Sequence, residues 1–313
     1  MSLSKSLAVL IATFILFGFT SAYADFYVVA GGGKKVGTEI KALPYTITES
    51  GFYFITKDLT CAVGSHGISI DTDNVTIDLM GFSLIGPGGP AGNYDGIYMN
   101  VRTNVEIRNG TIRDFVRNGV GGSGDGTANR IINIRAVDNM NVGILLQGKS
   151  NIVEMCTAVE NHGIGIYAWS CSLITNNICY NNYYHGIFTS AGSTISHNTC
   201  YKNGYLGKTA GHGISAGSRS NVFNNTCYDN LDDGINATSG SAVTGNTCND
   251  NKEDGIDAGI GTTVVGNTCR GNTNSGIKLG GDNLVDQNTA TSNFSDISSC
   301  TGCVFGVNVP VVP

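Results

Sequence analysis

Charge is scarce in this chain. Of its 313 residues, 13 % are Asp, Glu, Lys or Arg and 41 % are hydrophobic, a balance that argues against a disordered polypeptide. Basic residues number 18 against 24 acidic ones, for a net charge of −6. That deficit argues against a nucleic-acid partner. Helical periodicity is missing too, because Gly and Asn interrupt every run before a 3.6-residue pattern can form. The one long apolar run, Leu7 to Phe19, is too short to read as a membrane span. It follows Lys5 and precedes Ala22-Tyr23-Ala24, which matches the small-x-small cleavage rule. Residues 1–24 therefore read as a cleaved secretory signal, with a mature chain starting near Asp25 that is secreted, periplasmic or on the cell surface and not inserted in the membrane. No Cys lies near the cleavage site, which argues against a lipid anchor.

What the chain does have is repetition. Between Asn177 and Asn293 one short phrase returns: NICYNNYYHGI, NTCYKN, NTCYDNLDDGI, NTCNDNKEDGI, NTCRGNTNSGI, NTATSN. The Gly of each Gly-Ile pair recurs at Gly213, Gly234, Gly255 and Gly276, every 21 residues, and earlier at Gly143, Gly165 and Gly186 with spacings of 22 and 21. A fixed period of this size signals a solenoid. Each repeat holds three short strand-like runs, and register alignment gives three apolar columns. One runs Ile144, Ile166, Ile187, Ile214, Ile235, Ile256, Ile277; a second runs from Val153 through Ile174, Ile195, Val222, Val243 and Val264 to Val285. The third is Ala158, Cys179, Cys200, Cys227, Cys248, Cys269, Ala290. Three inward columns per turn predict an all-β fold: a right-handed parallel β-helix of about ten coils with three short strands each, neighbouring strands about 4.8 Å apart. The expected layout is an N-terminal cap over 25–60, the β-helix over 61–299 and a C-terminal tail over 300–313.

Polar columns fit the same frame. One Asn column, Asn177 to Asn288, precedes the third strand, and another, Asn161 to Asn293, follows it. Both read as corner pieces, through left-handed backbone angles or amides stacked along the axis. Ten Cys in an exported chain suggest disulfides. The five in the inward column are better read as buried free thiols, because ladder geometry suits a disulfide poorly. Cys300-Thr301-Gly302-Cys303, past the last coil, reads as a local disulfide. No further ligands can be placed to complete a zinc site there, so no metal is assigned.

The Asn-x-x-x-x-Gly-Ile repeats, together with LPYTITESGFYFITKDLTC and NVTIDLMGFSLIG near the N-terminus, resemble the right-handed β-helix repeats of the pectin-lyase-like superfold. The resemblance covers nearly the whole mature chain. It implies polysaccharide as partner, acidic or neutral, in a group that includes lyases, polygalacturonases and alginate epimerases; the fold hosts many chemistries.

Candidate site residues gather in the middle coils. The residue before Gly-Ile runs His185, His212, Asp233, Asp254, Ser275, with Asp232 and Glu253 one place earlier and Asp257 and Lys278 just after. His185, His212, Asp233 and Asp254 are the catalytic candidates: paired carboxylates serve glycoside hydrolysis, and a neutral His can act as a base in proton abstraction from a uronate. The same carboxylates can hold Ca²⁺; no other cofactor is expected. The equally ordinary role for Asp or His before Gly is turn chemistry. Gly211-His212-Gly213 and Asp232-Asp233 resemble two polygalacturonase motifs, but in reversed chain order, and that family's Asn-Thr-Asp and Arg-Ile-Lys motifs are absent, as is the Asp-Pro-His triplet of alginate epimerases. Tyr180, Tyr201, Tyr228 and Trp169 are the binding candidates, as outward aromatics that serve either as sugar platforms or as cross-strand ladders. Arg102, Arg108, Arg113, Arg117, Arg130 and Arg135 crowd the early coils, either to grip uronate carboxylates or as a solvated face balanced by Glu106 and Asp114. An insertion at Gly204 to Ala210 adjoins the candidate column. The expected function is polysaccharide binding, with cleavage or modification open; the alternative is a non-catalytic surface scaffold.

Overall fold

Alternation of apolar and polar residues in three-residue strands leaves each coil with inward stacks and little else to bury, so coils must pair with one another. The computed structural model, which describes residues 37–89, 92–205 and 211–309, shows this arrangement. The expected signal segment lies outside the described residues. Every strand pairing is parallel, and among the described residues no helix is long and apolar enough to cross a membrane.

Twelve strands form the Gly-Ile sheet, from Tyr45–Ile47 to Ser295–Ile297. This gives twelve coils where ten Gly-Ile starts predict ten. The two extra strands lack the Gly-Ile signature: Tyr45–Ile47 pairs with Ile68–Ile70, and Ser295–Ile297 pairs with Ser275–Leu279. Within the expected cap, Gly51–Phe54 already pairs with Val75–Asp78, and Leu59–Thr60 with Ser83–Ile85. Within the expected tail, Val304–Phe305 pairs with Leu284–Asp286, while Cys300 and Cys303 are disulfide-bonded.

The valine and cysteine columns form the other two faces, in a sheet fused where Val105–Arg113 and Arg130–Val137 each run through a corner. All three columns stand in the predicted register: Ile187 opposes Ile214, Ile195 opposes Val222, and Cys200 opposes Cys227. Their side chains are fully buried, each aliphatic one contributing roughly 1.5–3 kcal/mol relative to exposure. The column cysteines are free and buried, and burial pushes the Cys179 and Cys200 thiols up. The Gly before Ile is required by close approach: a Cβ on Gly213 would lie 2.7 Å from the Gly234 carbonyl oxygen.

The Asn columns are buried amide ladders. Asn198 Nδ2 donates to Asn225 Oδ1, and Asn225 Nδ2 donates to Asn246 Oδ1, both at 3.0 Å; Asn182 and Asn203 repeat the bond in the other column. The left-handed angle expected of these Asn belongs instead to the residue before each, as at Asn176 (φ 57°), Asn181 (54°) and Asp250 (55°). The ladder Asn turns inward to hold carbonyls and neighbouring amides, and its predecessor makes the bend.

Candidate functional site

The corner between the cysteine sheet and the Gly-Ile sheet carries the longest connections, and the candidate column sits at its end. A side chain there can reach the backbone of the next coil, and most of the column does. His185 Nδ1 accepts the His212 N–H at 3.2 Å, and His212 Nδ1 accepts the Asp233 N–H at 3.2 Å. Asp233 Oδ1 accepts the Asp254 N–H at 3.0 Å, and Asp254 Oδ1 accepts the Ser275 N–H at 2.8 Å. His66, Asp95 and Asn118 perform the same service in the early coils. So His185, His212, Asp233 and Asp254 are brought together in consecutive coils, each with one atom committed to the fold.

The uncommitted atoms carry the chemistry. The His185 and His212 rings stack 4.9 Å apart. Burial, then the neighbouring His212, lowers His185 to about 4, and burial also lowers His212. Both rings are neutral at pH 7. Because Nδ1 is an acceptor, the proton sits on Nε2, which leaves an N–H donor there on His212. Asp233 is the titrating member. Burial, with Asp232, Asp254 and Asp257 nearby, raises its carboxyl to about 7, although the Asp254 N–H opposes this. Its Oδ2 lies 3.3 Å from His212 Nδ1 and 3.4 Å from Asn236 Nδ2. Lys278 Nζ closes the cluster, 2.7 Å from Asp257 and 3.5 Å from Asp254. His212, Asp232 and Asp233 place ligand atoms within 4.8 Å of one another. The two carboxylates suit Ca²⁺, whereas Nδ1 is already engaged and is not an oxygen donor.

The aromatic candidates flank this corner on two different sheets. Tyr180, Tyr201 and Tyr228 lie on the cysteine sheet with successive rings 4.9 Å apart and nearly parallel. Their faces cover one another, so the row is a cross-strand ladder that presents edges and hydroxyls outward. Trp169 lies on the Gly-Ile side beside Tyr167, which meets Phe188 edge to face; Phe188 in turn neighbours His185. Four of the six early arginines are matched by carboxylates: Arg108 with Asp78 and Glu106, Arg113 with Asp114, Arg117 with Asp95 and Arg130 with Glu106, while Arg102 donates to the Asn100 and Asp71 carbonyls.

The family follows from the whole chain. A family model described as a right-handed beta helix region matches residues 42–194 and 142–295. The chain belongs to that right-handed β-helix family. No curated protein sequence matches it. Among solved structures, this β-helix is similar to the A-module of mannuronan C-5 epimerase AlgE6 from Azotobacter vinelandii, with 14 % identity over 89 % of this chain and 92 % of that one and a TM-score of 0.69. The periplasmic alginate epimerase AlgG follows at 15 % identity, 84 % and 76 % coverage and TM-score 0.55. The pectate lyase Pel9A shows 13 % identity, 82 % and 70 % coverage and TM-score 0.56. At these identities the likeness is one of fold.

Sequence reasoning missed a cleft of about 500 Å³ at the other end of the same corner. Asp138, Glu160, Asn181, Lys202 and Asp229 line its length, one from each of five successive coils, and His162 and Tyr205 also line it. The signal was present: these are the residues directly before Asn139, Asn161, Asn182, Asn203 and Asn230 of the ladder. Of the insertion beside it, Gly204 and Tyr205 are described; the rest lies outside the described residues.

Proposed function

We propose that this β-helix is an exported protein that binds polysaccharide along the corner between its cysteine and Gly-Ile sheets, with Asp233 as the proton-transfer group for cleaving or modifying the bound chain. The observation that carries this reading is a buried carboxyl raised to about 7 at the edge of a neutral histidine pair. A pKa near the working pH is what general acid–base catalysis needs. His212 Nε2–H and the Lys278 ammonium are the donors that position the sugar beside it, and Tyr167, Phe188 and Trp169 provide apolar surface on the same flank. Ca²⁺, if the reaction uses it, would draw on the carboxylate oxygens of Asp232 and Asp233 and would then take Asp233 out of proton transfer, which the Ca²⁺ arm of the screen reads. The alginate- and pectate-acting proteins of similar fold support polysaccharide as the ligand class, and the secretory pattern of residues 1–24 supports export.

A second reading, a non-catalytic scaffold, is favoured by one observation: the column's backbone-capping role is shared with Asn118, which brings no acid–base chemistry. One screen separates the two. The purified mature protein is offered acidic and neutral polysaccharides with and without Ca²⁺, and binding, new reducing ends and unsaturated ends are followed. Turnover that disappears in Asp233→Asn, a substitution that keeps the Oδ1 cap, is the expected result. Binding without turnover leaves a lectin-like module, and silence on every glycan favours the scaffold.

A further inference from the structure

The polar groups along the missed cleft are arranged as paired ends around an unpaired middle. At one end His162 Nε2 lies 3.2 Å from Asp138, its ring stacked 4.4 Å from that of Tyr183. At the other end the Tyr205 hydroxyl donates to Asp229 Oδ1 at 3.1 Å, and Lys252 Nζ lies 3.5 Å from the same oxygen. Between them the side chains of Glu160, Asn181 and Lys202 have no protein partner among the described residues. They follow Val159, Tyr180 and Tyr201, which oppose one another in register, so they stand in a line at strand spacing. From Asp138 to Asp229 the line covers four spacings, about 19 Å at 4.8 Å each.

We propose that this cleft is a glycan subsite distinct from the Asp233 cluster, and that it takes an uncharged, hydroxyl-rich stretch of polysaccharide. The proposal rests on the polysaccharide reading above and adds the ligand class. An acceptor, an amide and a donor in line, with the Tyr205 phenol at one end, match the mixed donor and acceptor character of sugar hydroxyls. The charge pattern sets the class. Three carboxylates, Asp138, Glu160 and Asp229, share the cleft with one lysine, Lys202, while Lys252 is held on Asp229. A polyuronate carries a carboxylate on every unit, so a segment that satisfied Lys202 would set further charges against Asp229 one strand spacing away and Glu160 two spacings away. A neutral chain meets no such repulsion.

Isothermal titration of the mature protein tests this with hexasaccharides of glucose and mannose as neutral probes and of guluronate and galacturonate as acidic ones. The variants are Tyr205→Phe, a Glu160→Gly/Lys202→Gly pair and His212→Ala. Glycine is compatible at the paired positions, since Gly271 occupies the same register place with φ 69°, and thermal melting confirms the fold. The expected result is binding of a neutral hexasaccharide at least about tenfold tighter than of either uronate, weakened at least about tenfold by the double glycine variant. Tighter binding of a uronate overturns the ligand class. Neutral-glycan binding that survives the double variant but disappears in His212→Ala overturns the subsite while leaving the polysaccharide reading standing. Binding by none of the four probes overturns both.

Discussion

Asp233 sits where fold and chemistry compete for one side chain. Its Oδ1 is committed to the Asp254 N–H, while burial and its acidic neighbours raise the carboxyl to about 7. A carboxyl harder to ionise in the fold than in the unfolded chain costs nothing below about pH 4 and destabilises progressively as pH rises through 7. His185, lowered to about 4, works in the other direction: it costs stability as pH falls from about 6.5 to 4. Asp233→Asn keeps the cap and removes the ionisation. Its melting temperature is expected to exceed that of the parent by about 2–4 °C at pH 8 and to equal it at pH 4, which thermal melts at the two values check. In turnover the same variant is expected to lose about a hundredfold or more, read as initial rates on the glycan found by screening. A variant that is both fully active and no more stable at pH 8 would remove Asp233 from its proposed role.

At the scale of the ladder and the strand, polar stacks specify the coil more tightly than apolar ones. Asn225 Oδ1 accepts from both the backbone and side-chain nitrogens of Asn198, and its Nδ2 reaches the Ile195 carbonyl and Asn246. Asn225→Ala would orphan several buried groups at once and is expected to cost about 3–5 kcal/mol. Cys227→Ala, two residues away, removes one small apolar atom from a stack and is expected to cost about 1–2 kcal/mol. Urea unfolding of the pair measures the difference, and equal losses would contradict the ladder's role. The three apolar columns were legible in the sequence because the period is nearly constant in the middle coils, so register could be counted; the second inward position of the Gly-Ile strands, Ala168, Thr189, Ala216, Ala237 and Ala258, was not read because its side chains are small. The first and last coils were not, because Tyr45–Ile47 and Ser295–Ile297 lack the Gly-Ile signature, although Ile47 and Ile297 join the core. The candidate column could be aligned, but its backbone bonds could not be inferred, since a His or Asp before Gly serves a turn and a site equally well. The cleft escaped because its residues vary from Asp138 to Lys202 and share a place in the register rather than a residue type.

The described β-helix is a stack with one chemically loaded edge. Eight free thiols lie along it, of which Cys171 alone is exposed, while Cys300 and Cys303 are bonded to each other. A thiol reagent is expected to modify one group on the native protein and eight after unfolding without reductant; fast native labelling of several would mean that the cysteine column is open. The alternative to a functional edge is a solenoid whose faces are equivalent, and hydrogen exchange distinguishes these. Exchange would be compared with and without a bound hexasaccharide. If the corner is the glycan-binding edge, protection is expected in segments 160–168, 181–189 and 228–236, with the valine-sheet strands Ile152–Glu154, Thr194–Ser196 and Ala242–Thr244 unchanged. Protection concentrated on the valine sheet, or spread evenly around the coils, would contradict the account.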